Sequence, residues 1–305
     1  DRRSGDTLYW RLNDLCIYKD IHLVNMDLLE LPNIIHVIEK IKPDEIYNLA
    51  AQSFVAASFE QPLVTSNVNA LGTLRILEAI QIVNPKIKFY QASTSEMFGK
   101  IKETPQSETT PFHPRSPYGV SKLFAHWITV NYRESYNLFA CSGILFNHES
   151  PLRGSEFVTK KIAKGVAAIK AGKQDKIILG NLNAKRDWGF AGDYVKGMWS
   201  MLQQQEPDDY VLATGKTKSI REFVEIAFNC VDVELIWQGQ GVHLKGVDSK
   251  TGSQLVAVSK EFYRPAEVDV LLGDASKANE NLGWQSEVGF EELVKMMIHY
   301  ELERT

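Results

Sequence analysis

The sequence predicts an α/β fold: a doubly wound parallel sheet with a smaller, interleaved α/β substrate domain. Three observations predict it. Over residues 1–150, short β-rich runs alternate with longer amphipathic stretches, the pattern of βαβ units. The candidate strands recur roughly every 25 to 50 residues, which leaves room for right-handed crossover helices. With 305 residues, 44% hydrophobic and 24% charged, the chain also has the composition of a globular protein of one large or two modest domains.

The elements follow in order. IHLVNM (21–26), EIYNLA (45–50), KIKFYQAS (86–93) and FACSGILF (139–146) read as strands, being short and rich in β-branched and aromatic residues. Between them, PNIIHVIEKI (32–41), the segment Pro62 to Val83, and SPYGVSKLFAHWITVNYRESY (116–136) repeat apolar residues three and four apart. These are the crossover helices. After Asn147 the alternation breaks: SPLRG (150–154) reads as a loop, Phe157 to Ala171 as a helix, IILG (177–180) as a strand and NLNAKRDWG (181–189) as a polar stretch. Asp193 to Gln204 and YVLATG (210–215) read as one more helix and strand of the parallel layer, followed by a helix from Ser219. Residues 235–258 read as a hairpin turning at DSKTG. A helix from Ala275 capped by Asp274, and another from Phe290 to Glu303, close the chain. The expected division is a Rossmann-like dinucleotide-binding domain over 1–148, to which about 189–214 returns, and a substrate-binding domain over 149–305.

A doubly wound nucleotide fold opens with a strand and a glycine-rich turn whose N–H groups meet a pyrophosphate. Neither GxGxxG nor GxxGxxG occurs here. A functional chain is therefore expected to carry roughly 25 to 30 further N-terminal residues forming that strand and turn.

Charge and cysteine content narrow the function. A net charge of -4 gives no footprint for nucleic acid or an anionic membrane. The longest stretch without Asp, Glu, Lys or Arg is 14 residues, too short for a membrane span. Cys16, Cys141 and Cys230 are odd in number and far apart, which suits neither a disulfide framework nor a metal site and points to a reducing cytoplasm. The opening DRRSGDTLYW lacks the apolar core of a signal peptide.

Tyr118 and Lys122 stand four apart at the start of a predicted helix, so both side chains share a face. An ammonium beside a phenol favours the phenolate and makes Tyr118 a candidate general acid/base. With 11 Tyr in the chain such a pair also arises by chance, so alone it decides nothing. QASTSEMFG (91–99) adds weight, because it follows a strand at the C-terminal end, where open α/β sheets bind ligands. It supplies the Thr94 and Ser95 hydroxyls and the Glu96 carboxylate. Capping or turn formation is the structural alternative for the hydroxyls, and an exposed loop carboxylate for Glu96.

Seven segments in order, YNLAAQS (47–53), FYQASTSEMFG (89–99), PRSPYGVSK (114–122), ITVNYRESY (128–136), GILFNHESPLRG (143–154), LGNLNAKRDWG (179–189) and FYRPAEVDVLLGD (262–274), closely resemble the GDP-mannose 4,6-dehydratases. These form a branch of the extended short-chain dehydrogenase/reductase family, and the resemblance runs through essentially the whole chain. It implies that Tyr118 and Lys122 are the catalytic pair, Thr94 their hydroxyl partner and Glu96 the acid/base of dehydration. It places Arg2, Arg3, Ser4, Asp27, Leu28, Leu49, Ala50, Ala51, Gln52, Ser53, Tyr118, Lys122, His148 and Arg153 at an NADP cofactor. A satisfied interior histidine and a solvated loop charge are the alternatives for His148 and Arg153. Ser53, Asn147, Lys161, Gly180, Arg186, Arg264 and Glu267 are placed around the sugar nucleotide, GDP-mannose.

Arg2 and Arg3 suit a 2′-phosphate, whereas the acid Asp1 beside them suits the ribose hydroxyls of NAD. The resemblance also implies a homodimer or homotetramer. A GDP-4-keto-sugar reductase or C4 epimerase of the same architecture would use Thr94, Tyr118 and Lys122 without needing Glu96, and a catalytically silent nucleotide-binding protein would need none of the four. Related dTDP-glucose dehydratases carry Asp-Glu where this chain has Ser95-Glu96, which favours the GDP-mannose type.

Overall fold

The computed structural model describes residues 9–263 and 271–305. The described residues gather into two compact units, one of 9–93, Pro117–Ser142 and Met201–Asp209, the other of Thr94–Ser116, Gly143–Ser200, 210–263 and 271–305.

In the first unit, a single helical turn at Trp10–Asp14 (α1) precedes Leu31–Ile41 (α2). A proline in the first turn sets the backbone at the start of α2, and Lys42, with φ 51°, ends it in the left-handed region. Glu45–Asn48 (β1) and Lys88–Thr94 (β2) pair in parallel, Ile46 opposite Phe89 and Asn48 opposite Gln91. A parallel pair needs a crossover, supplied by Val55–Glu60 (α3), Pro62–Ser66 (α4) and Gly72–Val83 (α5). A π-helical turn at Asn67–Leu71 joins α4 to α5, so the amphipathic segment from Pro62 is helical throughout but not uniformly α. Pro117–Tyr136 (α6) follows, then the wholly buried Ala140–Leu145 (β3), which belongs to this unit as far as Ser142. Ile34, Ile38, Leu77, Ile80, Phe89 and Ala140 close this unit's core. Each large aliphatic or aromatic side chain buried there contributes about 1.5–3 kcal/mol.

The second unit takes up Asn147–Glu149 (β4), Val158–Lys170 (α7), Ile177–Leu179 (β5), Lys185–Phe190 (β6) and Ala191–Leu202 (α8) as far as Ser200. Asp209–Leu212 (β7), which enters this unit at Tyr210, Thr217–Ser219 (β8) and Ile220–Asn229 (α9) come next, then Leu235–Gln238 (β9), Lys245–Asp248 (β10) and Gln254–Val258 (β11). Ser276–Leu282 (α10) and Phe290–Leu302 (α11) end it. Ile162, Val166, Ile177, Trp188, Phe223, Phe228, Met297 and Ile298 belong to a core of its own.

The strands order as β1-β2-β3-β7, β5-β11-β10-β9 and β4-β6-β8. The expected hairpin is β10–β11, antiparallel around the turn at Asp248–Gly252, and β5 joins β11 in parallel.

Two expectations are corrected. Residues 21–26 form no strand, because a strand is made by its pairing and no described strand lies beside them. The polar stretch 181–189 includes most of β6, with Arg186, Asp187 and Trp188 buried. Its polarity hid the strand because the buried polar groups are paired. The Asp187 carboxylate accepts from Thr214 N and Oγ1 at 2.8 and 2.7 Å and from Gly215 N at 2.9 Å.

Candidate active site

In the first unit, the start of α6 carries Tyr118 and, one turn on, Lys122. Lys122 is 3% exposed and donates from Nζ to the Ala92 carbonyl on β2 at 2.9 Å. Burial disfavours its charged form and pushes its pKa down to about 8. Behind Tyr118, Ser121 Oγ donates to the Tyr118 carbonyl at 2.8 Å and accepts from Asn69 Nδ2 at 3.1 Å. Asn69 also receives Gln52 N on Oδ1 at 2.8 Å and donates to the Gln52 carbonyl at 3.0 Å.

One asparagine therefore ties the Leu49–Ser53 loop to the base of the tyrosine helix. Asn69 lies in the π turn, whose extra residue per turn re-aims side chains, a feature frequent at functional sites. Sequence reasoning missed it. The signal was there in NVNALGTLRILEA, where Asn69 and Thr73 put polar groups one turn apart on a face that the helix buries.

Around the loop, Leu49 is 55% exposed at the C-terminal end of β1, Ala50 and Ser53 are exposed, and Ala51 and Gln52 are half-buried. Asp27 turns inward on itself: Oδ1 accepts from Leu29 N at 3.0 Å, and its own N–H donates to Asn33 Oδ1 at 2.9 Å. Leu28 is buried in the core, and its carbonyl accepts from Arg75 Nη1 at 3.1 Å.

In the second unit, Thr94 ends β2 and its Oγ1 accepts from Glu96 N at 3.3 Å. Glu96 stands half-buried between buried Ser95 and Met97 in a short 3₁₀ turn. That turn is braced: His113 N donates to the Met97 carbonyl at 3.1 Å, Lys100 N to the His113 carbonyl at 2.9 Å, and the Phe98 ring lies 5.1 Å from Phe112. Gly99 permits the brace, since with φ +50° a Cβ there would meet the His113 carbonyl oxygen at 2.1 Å.

His148 stacks on Tyr194 at 4.9 Å and donates from Nδ1 to the Phe146 carbonyl at 2.9 Å. Desolvation pushes its pKa down to about 4, so the ring is neutral and Nε2 is left as the acceptor. Arg153 pairs through Nε with buried Glu149 at 3.1 Å and lies 3.5 Å over the Phe157 ring. Burial raises the pKa of Glu149, opposed by Arg153 and by the Thr159 hydroxyl donating at 2.7 Å.

Asn147 pairs with Trp188 in the β4–β6 ladder. Lys161 Nζ lies 3.7 Å over the Phe262 ring, and burial lowers its pKa. Gly180 approaches the same residue through its backbone, where a Cβ would meet the Phe262 oxygen at 2.4 Å. Arg186, 6% exposed on β6, donates from Nη1 to the Lys185 carbonyl at 2.8 Å. Arg2, Arg3, Ser4, Arg264 and Glu267 lie outside the described residues.

The family model for GDP-mannose 4,6-dehydratase matches residues 1–297. The chain belongs to that family. Among relatives, the GDP-mannose 4,6-dehydratase of Sinorhizobium fredii is 53% identical over 278 residues, 90% of this chain and 79% of its own length. The GDP-mannose 4,6 dehydratase of Homo sapiens is 52% identical over 280 residues, 91% and 75% of the two chains.

Among solved structures, RMD from Pseudomonas aeruginosa complexed with NADPH superposes with a TM-score of 0.81 at 23% identity, over 95% of this chain and 94% of that one. The dTDP-glucose 4,6-dehydratase of Bacillus anthracis in complex with NAD gives 0.76 at 22%, over 95% and 83%. Likenesses at that level establish the fold of this family member as Rossmann-like α/β. Among the described residues, no cluster of His, Cys, Asp and Glu is able to hold a metal ion, and no helix is long and apolar enough to cross a membrane.

Proposed function

We propose that this family member is an NADP-dependent lyase that dehydrates GDP-mannose to GDP-4-keto-6-deoxymannose. The observation that carries the reading is Lys122, an ammonium held in the interior one turn beyond Tyr118, in a chain of the GDP-mannose 4,6-dehydratase family. The donor set fits a nicotinamide dinucleotide. Lys122 has one N–H on Ala92 and two more for a ribose diol, and the Leu49–Ser53 loop offers main-chain groups at the C-terminal end of a parallel strand. Asp27, Leu28, His148 and Arg153 would complete its contacts in the described chain, with Arg2, Arg3 and Ser4 at a 2′-phosphate. When bound, the nicotinamide accepts a hydride from sugar C4 and later returns it to C6.

The residues move the protons. Tyr118, kept ionisable by the Lys122 ammonium, takes the O4 proton while Thr94 holds O4. The resulting 4-ketone acidifies the C5 hydrogen, which Glu96 removes. The C6 hydroxyl departs with a proton as water, and C5 is reprotonated once C6 carries its new hydrogen. Oxidation at C4 and reduction at C6 cancel, and one water is lost. Ser53, Asn147, Lys161, Gly180, Arg186, Arg264 and Glu267 would hold GDP-mannose. Arg186 supports this role with a planar fork of donors suited to a diphosphate.

A homodimer or homotetramer is supported by the apolar stripe Val120, Phe124 and Trp127 on α6, 55%, 42% and 54% exposed. The free thiols of Cys16, Cys141 and Cys230 suit a cytoplasmic setting. To test the reaction, GDP-mannose is incubated with the full-length protein and NADP, and the products are read by mass and carbon NMR. The expected product has lost one water and carries a C4 ketone and a C6 methyl. Unchanged GDP-mannose, or its C4 epimer, would overturn the reading.

A further inference from the structure

Beneath Lys122 lies a set of polar groups that none of these proton transfers uses. Gln91 on β2 is 0% exposed, and its amide is oriented from both ends. Its Oε1 accepts from Asn48 Nδ2 at 2.8 Å, and its Nε2 donates at 3.1 Å to the Ala92 carbonyl. That carbonyl is the one receiving Lys122 Nζ. Asn48 Nδ2 also donates to Thr73 Oγ1 at 3.2 Å, and the Thr73 hydroxyl donates to the Asn69 carbonyl at 2.9 Å. Asn48, Asn69, Thr73, Gln91 and Lys122 are each at most 4% exposed.

A carbonyl has two lone pairs, and both of those on Ala92 are engaged, one by an amide and one by an ammonium. In a dry interior such a network holds its members in one arrangement, because any rotation leaves a buried donor or acceptor unpaired. Its members other than Lys122 are all neutral. We propose that Gln91 is a positioning residue for Lys122: its amide fixes the carbonyl that holds the lysine and keeps the floor of the lysine's pocket uncharged. The coupling of the two side chains is independent of the reaction, while its catalytic consequence rests on the role given to Lys122 above.

The surrounding charges leave this floor alone. α6 packs against α3, α4, the π turn and α5. α4 and the π turn carry no titratable group, and Glu60 on α3 is exposed. On α5, Arg75 binds the Leu28 and Asn67 carbonyls, and Glu78 accepts from the Tyr132 hydroxyl. On β2, Lys88 donates to the Leu202 carbonyl, and the Tyr90 phenol is held protonated by burial. On α6 itself, one turn to either side of Lys122, stand Tyr118 and His126, the latter with Nδ1 3.2 Å from Ser93 Oγ. Arg133, further along α6, pairs with Asp209. Burial alone accounts for the depressed pKa of Lys122.

The test uses the whole chain labelled with carbon-13 lysine, Lys122 being assigned by the signal lost in Lys122→Met. Its Cε resonance should titrate near about 8 in the parent. In Gln91→Glu, which puts a carboxylate beside the shared carbonyl, the midpoint should rise by about one pH unit or more. Gln91→Met keeps the bulk and releases the carbonyl, so kcat should fall about tenfold or more with the KM for GDP-mannose little changed.

An identical Lys122 midpoint in Gln91→Glu and the parent overturns the proposal. Should Gln91→Glu fail to fold, Gln91→Met decides, and parental kcat with only a lowered Tm makes Gln91 a structural residue and overturns it. A shifted midpoint in a chain that leaves GDP-mannose untouched would uphold the coupling and overturn the proposed reaction.

Discussion

Lys122 keeps its charge where the interior offers it one carbonyl, so its pKa lies near 8 against an ordinary 10.5. Below about pH 8 both folded and unfolded chains hold the proton, and the native state bears the whole cost of the buried charge. Between about 8 and 10.5 the unfolded chain holds more protons, so stability rises with pH across that window. Lys122→Met should therefore abolish turnover yet raise neutral-pH stability in urea unfolding, an advantage that shrinks toward pH 10.5. A destabilised Lys122→Met would mean that the ammonium is compensated. In the parent, kcat/KM should fall as pH rises through about 8, because the ammonium that keeps Tyr118 ionisable is lost there; a flat alkaline limb would detach Lys122 from the reaction. Tyr118 and Lys122 were legible as a pair because helical spacing alone puts them on one face. Asn48 and Gln91 were not, since what singles them out is a network assembled across residues 43 apart in the chain.

Among the elements, the π turn at Asn67–Leu71 matters most, because it delivers Asn69 to the Gln52 backbone on one side and to Ser121 on the other. Asn69→Ala strips those bonds from buried groups and should cost about 1–3 kcal/mol in stability, with a fall in kcat as the loop loosens from α6. Unchanged kcat in a destabilised protein would confine Asn69 to a structural role. By contrast, α9 is capped well away from these residues in the chain: Ser219 Oγ accepts from Glu222 N at 3.1 Å, and the Glu222 carboxylate accepts from Ser219 N at 2.7 Å. Ser219→Ala should cost about 1 kcal/mol and leave turnover alone; a loss of turnover would show that α9 reaches the chemistry. This helix was readable from the sequence because its signals are local. The strand expected at 21–26 and the unforeseen β6 show the reverse case, since pairing decides a strand and pairing is not written in the strand itself.

On the scale of the whole molecule, each unit has a core of its own. The doubly wound class was legible from alternation, and the family from seven ordered segments, because both are properties of long stretches. The proposed reaction separates from reduction and epimerisation at one carboxylate. Oxidation at C4 asks only for Tyr118, Lys122, Thr94 and the cofactor, whereas proton removal at C5 asks for a base, and Glu96 is the one carboxylate in the STSEMFG segment. Glu96→Gln keeps the size and removes the basicity. The most direct measurement is a single turnover of Glu96→Gln with GDP-mannose in heavy water, following nicotinamide reduction, deuterium at C5 and product together. The account predicts reduced nicotinamide, no deuterium at C5 and almost no 4-keto-6-deoxy product. Product at close to the parent rate, with deuterium at C5, would contradict it.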